Sequence, residues 1–363
     1  MPQENYKEQT PYPWIVHPVI DLLFVCGGLP LLLITLNVAF LGWRIPFETG
    51  AASDRVLLAL VLFGQHFFAD AHNMATHLRI WGSAEDRDRF AFYRIWLSLS
   101  CVPLFVLGLA VPAATSVFVY LYLIVVFWHY AAQAYGISLI YCAKRGYLFT
   151  KRERLIYKGY YVSLSATAIL RFVSFRELSP TYWFGIPLPF WGPVPGVFYK
   201  LAVVVFFGCT LLFAIVVVRK LFAEKKLFPL PSALIMATLT WLGVSLGLAN
   251  ALLWIYVPAF FHGSQYLAVC VTYFLKDRGI PEGASFSQMG SLIFTAPAGR
   301  FVVAAVVSGA LFYVAIPYTF ARFGFDFAIV AGLVLAVVNY HHFITDAAIW
   351  RLRDPRYRKL LLT

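Results

Sequence analysis

Deep within apolar stretches of this chain, histidine is followed one helical turn later by an acid or an amide at three places: His66 with Asp70, His129 with Gln133, and His342 with Asp346. His262 with Gln265 is a looser fourth case. All lie in stretches apolar enough for a bilayer interior, where an ionisable side chain is costly and marks a buried polar site. Neutral imidazole is the commonest protein ligand for iron, zinc and copper, and carboxylate suits the harder oxidation states of iron and manganese. A nearby acid or amide can share the metal, or accept the second ring N–H and so fix the tautomer. These types and spacings favour metal ligation by His66, His129, His262 and His342. Asp70 and Asp346 are the candidate catalytic carboxylates, as further ligands or as partners of the imidazoles.

His66, Asp70, Asn73 and His77 fall at spacings of four, three and four. At about 100° per residue they share a sector roughly 60° wide, one stripe on one helix face. Such a stripe must turn away from lipid into a bundle, which makes His77 and Asp70 further candidate ligands and leaves His72 pointing elsewhere. The last apolar stretch repeats the pattern with Asn339, His342 and Asp346; H-F-F-A-D-A at 66–71 is echoed by H-F-I-T-D-A at 342–347. His341 is offset by about 100° and faces another neighbour, as one more candidate ligand. One intramembrane histidine can equally serve as a helix-to-helix hydrogen bond. One from each of four helices at matched depth favours a shared site.

The elements that position these residues follow from composition. The chain has 363 residues, 61% hydrophobic and 13% charged, with a mean hydropathy of +0.75. A soluble domain carries about twice that share of charge. Apolar windows long enough to cross about 30 Å of hydrocarbon recur throughout. They predict an all-α fold, a polytopic membrane-embedded helical bundle of about ten spans forming one domain over 1–363. The spans fall near 15–41, 56–80, 94–113, 116–142, 158–175, 197–218, 231–256, 259–275, 301–318 and 327–349, with a break expected at Pro258 between the seventh and eighth. The Pro- and aromatic-rich connection at 176–196 is too apolar for a free loop and is expected at the membrane interface or as a lid.

The net charge of +12 is the excess of 29 Lys and Arg over 17 Asp and Glu, and most of the basic residues sit in connections after even-numbered spans. By the positive-inside rule both termini are cytoplasmic, in a bacterial-type inner membrane. No aromatic-interleaved basic domain accompanies the charge, which excludes nucleic acid as a partner. The basic run at 144–154 is placed against anionic lipid headgroups. The polar first fourteen residues lack a signal-peptide pattern, so the first span is expected to be a retained anchor. Five cysteines stand singly, without the spacing of a disulfide framework or a zinc knuckle. H-Y-A-A-Q before K-R-G at 129–146 and H-G-S-Q before K-D-R-G at 262–279 each set a histidine about 20 Å from a basic helix end.

No H-E-x-x-H, G-x-S-x-G or Walker-type motif occurs. H-F-F-A-D at 66–70, in the run G-Q-H-F-F-A-D, resembles the H-x(3)-D part of the G-x-P-H-x(3)-D element of the bacterial Brp/Blh β-carotene 15,15′-dioxygenases, with Gln65 in place of the family's proline. The resemblance implies a multi-span protein holding non-haem iron with histidines, among them His66 beside Asp70, and using dioxygen to cleave a polyene. The residues and the resemblance together give the leading expectation. It is a membrane metalloenzyme, a non-haem iron oxygenase with dioxygen as co-substrate, taking an isoprenoid, carotenoid or acyl substrate from the bilayer. Two alternatives stand beside it: a proton-coupled transporter or channel using the His and Asp residues, and a haem-binding redox protein.

Overall fold

Helix ends in this chain are capped by their own sequence. Thr150 and Glu153 form a reciprocal capping box at the start of the helix Lys151–Ser174. Asp326 Oδ1 accepts from the Ile329 backbone N–H at 2.9 Å to begin Phe327–Ile349. Pro112, with no N–H to leave unpaired, opens Pro112–Lys144. The computed structural model describes residues 13–32, 63–176, 182–183, 186–244, 251–279, 289–351 and 354–362. Much of the first expected span, the start of the second and part of the seventh lie outside these residues.

In chain order the helices are α1 (Pro18–Ile20 continuing through Asp21–Val25), α2 (Gln65–Asp70 continuing through Ala71–Trp81), α3 (Ala84–Arg89), α4 (Phe92–Ala110) and α5 (Pro112–Lys144). Then come α6 (Lys151–Ser174), α7 (Gly196–Glu224), α8 (Leu230–Val244), α9 (Ala251–Asp277) and α10 (Met289–Leu292). The last are α11 (Ala296–Arg322), α12 (Phe327–Ile349) and α13 (Pro355–Leu362). A two-residue antiparallel ribbon, Tyr182–Trp183 with Ile186–Pro187, is the only strand pairing among the described residues.

The fold is all-α. Among the described residues five helices, α4, α5, α7, α11 and α12, are long and apolar enough to cross a membrane, which is compatible with a multi-pass membrane protein. Pro258 lies inside α9 and does not divide it, contrary to the break expected there. A proline removes one backbone hydrogen bond, and packed neighbours in a bundle can compensate for that loss.

α2 is held between α9, α11 and α12, and α12 also packs on α4 and α5. The first residues of α2 are wound as a π-helical turn, Gln65–Asp70. A Cβ on Gly263 of α9 would come within 2.6 Å of the Phe68 carbonyl oxygen. Only glycine lets the backbone of α9 approach this turn so closely. α1 ends at Gly27, whose φ of 86° suits glycine. Its buried carbonyls are satisfied from neighbouring helices: Ser264 donates to Phe24 at 2.9 Å, Gln265 to Val25 at 2.6 Å and Thr238 to Cys26 at 3.0 Å. Of the 176–196 connection, Ile186 and Leu188 are buried in an apolar cluster with Val119 and Phe172.

Candidate metal centre

Four helices deliver one imidazole each to a common point. His72 comes from α2, His129 from α5, His262 from α9 and His342 from α12, and each offers a ring nitrogen within 4.8 Å of the others'. All four side chains are buried, His342 completely. Their rings form a quadrilateral. Centroids are 4.7 Å apart for His72–His262, 4.7 Å for His262–His129, 5.0 Å for His129–His342 and 4.7 Å for His342–His72, with a His262–His342 diagonal of 6.5 Å.

Both ring nitrogens of His262 lack a hydrogen-bond partner among the described residues, and those of His72 meet none at good geometry, with only the Phe68 and Ala69 backbone of its own helix nearby. An unpaired buried polar atom costs about 1–3 kcal/mol, and native proteins leave few of them. One nitrogen of each ring faces the common point, and unpaired nitrogens meeting there fit a bound cation. His342 Nε2 lies 3.2 Å from His129 Nε2 and 3.5 Å from Asp346 Oδ2, while His129 Nε2 is 3.9 Å from the same oxygen. This donor set, imidazole-rich with one carboxylate at its edge, suits iron, zinc or copper.

The structure brings together His129, His262 and His342 as the sequence suggested, but the fourth histidine is His72 and not His66. His66 is turned away, with its side chain 31% exposed and Nδ1 at 3.4 Å from Asp70 Oδ2. Asp70 also accepts from Gln65 Nε2 at 3.0 Å and stands outside the four-histidine group with His66. The rest of the stripe, Asp70–Asn73–His77, does face the interior: Asn73 donates to the Tyr313 hydroxyl of α11 at 2.6 Å, and His77 stacks on His341 at 4.5 Å. His77 and His341 are thereby also outside the group; His341 Nε2 lies 2.9 Å from the Tyr93 carbonyl and 3.1 Å from Ser98 Oγ. The physical reason is that α2 is buried on two faces, with every residue from Ala71 to Thr76 enclosed. The π turn also alters the rotation between His66 and His72 that an even 100° step would give.

The amides of Gln133 and Gln265 do not support the imidazoles. Gln133 Nε2 donates to the His262 carbonyl at 2.9 Å and to Gln265 Oε1 at 3.2 Å, which ties α5 to α9. Residues overlooked in the sequence take the supporting position instead. Thr76 Oγ1 lies 2.8 Å from His342 Nδ1, and the Tyr266 hydroxyl donates to Asp346 Oδ1 at 2.6 Å. Thr76 stands four residues after His72, on the same face, and that spacing was the available signal.

Two cavities reach the cluster. A cavity of about 260 Å³ runs to His129 and Asp346 past Gly136, Ile137 and Phe343, and its mouth lies beside Val125 and Trp128, both exposed on the apolar outer surface. A second, of about 10 Å³, is lined by Gln65, Asn73, Tyr122 and Asn339 and touches His72 and His262. It has room for about one water molecule. Phe343 lines both cavities, its ring 4.3 Å from that of His129.

Compared with family models, curated proteins and solved structures, the chain matches none.

Proposed function

We propose that the protein is a membrane-embedded metalloenzyme, a non-haem iron oxygenase acting on a lipophilic isoprenoid, carotenoid or acyl substrate. The observation that carries this reading is the enclosed group of four imidazoles with unpaired nitrogens. His72, His129, His262 and His342 would hold the metal, with Asp346 at its edge. Bound there, iron would supply the activation of dioxygen. The remaining work falls to the chain. The larger cavity admits an apolar segment from the bilayer to His129 and orients it against Phe343. Helices on all sides exclude bulk water. The proposal includes about ten spans in a bacterial-type inner membrane with both termini cytoplasmic, and the basic connections against anionic lipid.

The test is dioxygen consumption by iron-loaded protein in detergent, with and without a panel of polyene and acyl lipids. Lipid-dependent uptake that disappears in His342→Ala supports the reading. Protein that retains no iron, or iron-loaded protein that consumes no dioxygen with any member of the panel, contradicts it.

The chain His66–Asp70–Gln65 leading to the small polar cavity favours a second reading, proton-coupled transport. It requires pH-dependent flux in liposomes that Asp70→Asn abolishes, and no metal. A haem-binding redox protein is separated from both by its Soret absorption.

A further inference from the structure

Beside the histidine cluster lies a closed set of polar contacts whose protons can be counted. His342 Nδ1 lies 2.8 Å from Thr76 Oγ1. Thr76 Oγ1 lies 2.5 Å from the Tyr266 hydroxyl and 3.0 Å from Asp346 Oδ1. Tyr266 in turn donates to Asp346 Oδ1 at 2.6 Å and accepts from the indole N–H of Trp350 at 2.9 Å. Threonine and tyrosine bring one proton each, and Asp346, ionised when a cation occupies the neighbouring cluster, brings none.

Four contacts therefore join His342 Nδ1, Thr76, Tyr266 and Asp346, with two hydroxyl protons available. If Nδ1 were bare, two of the four close approaches would have no hydrogen between the heavy atoms. If Nδ1 carries its proton, only one is bare. The chain Nδ1–H to Thr76, Thr76 to Tyr266 and Tyr266 to Asp346 then places protons on the three shortest contacts and leaves the longest, Thr76 to Asp346, empty. The second assignment satisfies the buried groups better.

We infer that Thr76 and Tyr266 are positioning residues that hold His342 as its Nδ1–H tautomer and direct the free Asp346 oxygen toward the cluster. His342 then presents an unprotonated Nε2, the atom that faces His129 Nε2 and Asp346 Oδ2. Without a cation or a proton among them, these electron-rich atoms would repel one another; with a metal they form its ligand edge. The inference rests on the metal-site reading above and adds to it which atoms donate and what orients them.

The experiment measures cobalt(II) affinity of the full chain in detergent, by competition with a chelator, following the visible absorption of the bound ion. Four proteins are compared: wild type, Thr76→Val, Thr76→Ser and Tyr266→Phe. Each apo form is also melted, so that loss of fold is seen separately from loss of binding. Thr76→Val keeps the shape and removes the acceptor, and should weaken binding about 10–100-fold, whereas Thr76→Ser should bind like wild type. Tyr266→Phe should weaken binding by about tenfold, and provides the test if Thr76→Val does not fold. Wild-type affinity in Thr76→Val, or in Tyr266→Phe if Thr76→Val does not fold, overturns the inference and leaves the metal site standing. Equal weakening in Thr76→Ser and Thr76→Val has the same effect. A wild-type chain that binds no cobalt overturns both.

Discussion

His129 and His342, 213 residues apart in sequence, face each other Nε2 to Nε2 at 3.2 Å inside the bundle. Two imidazole nitrogens approach so closely only with a proton or a cation between them. With the unpaired nitrogens of His72 and His262 completing the ring, a cation accounts for all four residues together, and a shared proton accounts for only two.

The larger cavity can be closed without touching the cluster. An ideal Cβ on Gly136 meets nothing within 4 Å, yet the residue lines the cavity wall. Gly136→Phe should fold at least as stably as wild type, since a glycine inside a helix costs about 0.5–1 kcal/mol relative to alanine. It should keep its metal and lose more than tenfold in lipid-dependent dioxygen uptake. Thermal melting, metal content and uptake measured on one preparation check this, and unchanged uptake would remove the cavity from the mechanism.

The crossing of α2 and α9 has no room for a methyl group. Gly263→Ala places a Cβ 2.6 Å from the Phe68 carbonyl oxygen, so the two backbones must separate. The expected cost is about 1–3 kcal/mol, typical of overpacking. Because His262 and His72 sit on either side of this crossing, metal affinity should fall with stability. Equilibrium melting and chelator competition measure the two effects.

Stability should also depend on pH through Glu153 at the start of α6. Burial raises its carboxyl pKa, but the Thr150 backbone N–H, Arg219, the Thr150 side chain and Lys220 outweigh that, and the net shift is downward. A depressed folded-state value means stabilisation that is present above the unfolded carboxylate range and lost as pH falls through the folded value. Glu153→Gln should therefore melt below wild type at neutral pH, with the difference shrinking once pH falls below the unfolded carboxylate value of about 4.3 and disappearing below the lower folded value. A gap that persists in acid would assign the effect to packing.

Much of this arrangement was legible in the chain. Apolar windows gave α4, α5, α7, α11 and α12, and the depth of His129, His262 and His342 in separate windows pointed to a common site. The choice between His66 and His72 was not legible, because periodicity says which residues share a face and not which of two buried faces meets the cluster. A π turn at Gln65–Asp70 leaves no periodic trace. Gln133 and Gln265 have the spacing of histidine partners, yet they bridge helices whose adjacency only the fold reveals. Thr76 and Tyr266 each stand one helical turn after a cluster histidine, His72 and His262, but that spacing acquires meaning only when α2, α9 and α12 meet.

The measurement that bears most directly on the central claim is the metal content of the purified chain, compared with His72→Ala and His66→Ala. The four-histidine site predicts about one equivalent of transition metal in wild type and in His66→Ala. His72→Ala should lose the metal, by more than the roughly 10–100-fold in affinity that removing an outer hydrogen-bonding partner causes. Metal retained in His72→Ala and lost in His66→Ala, or no metal in the wild-type chain, would contradict it.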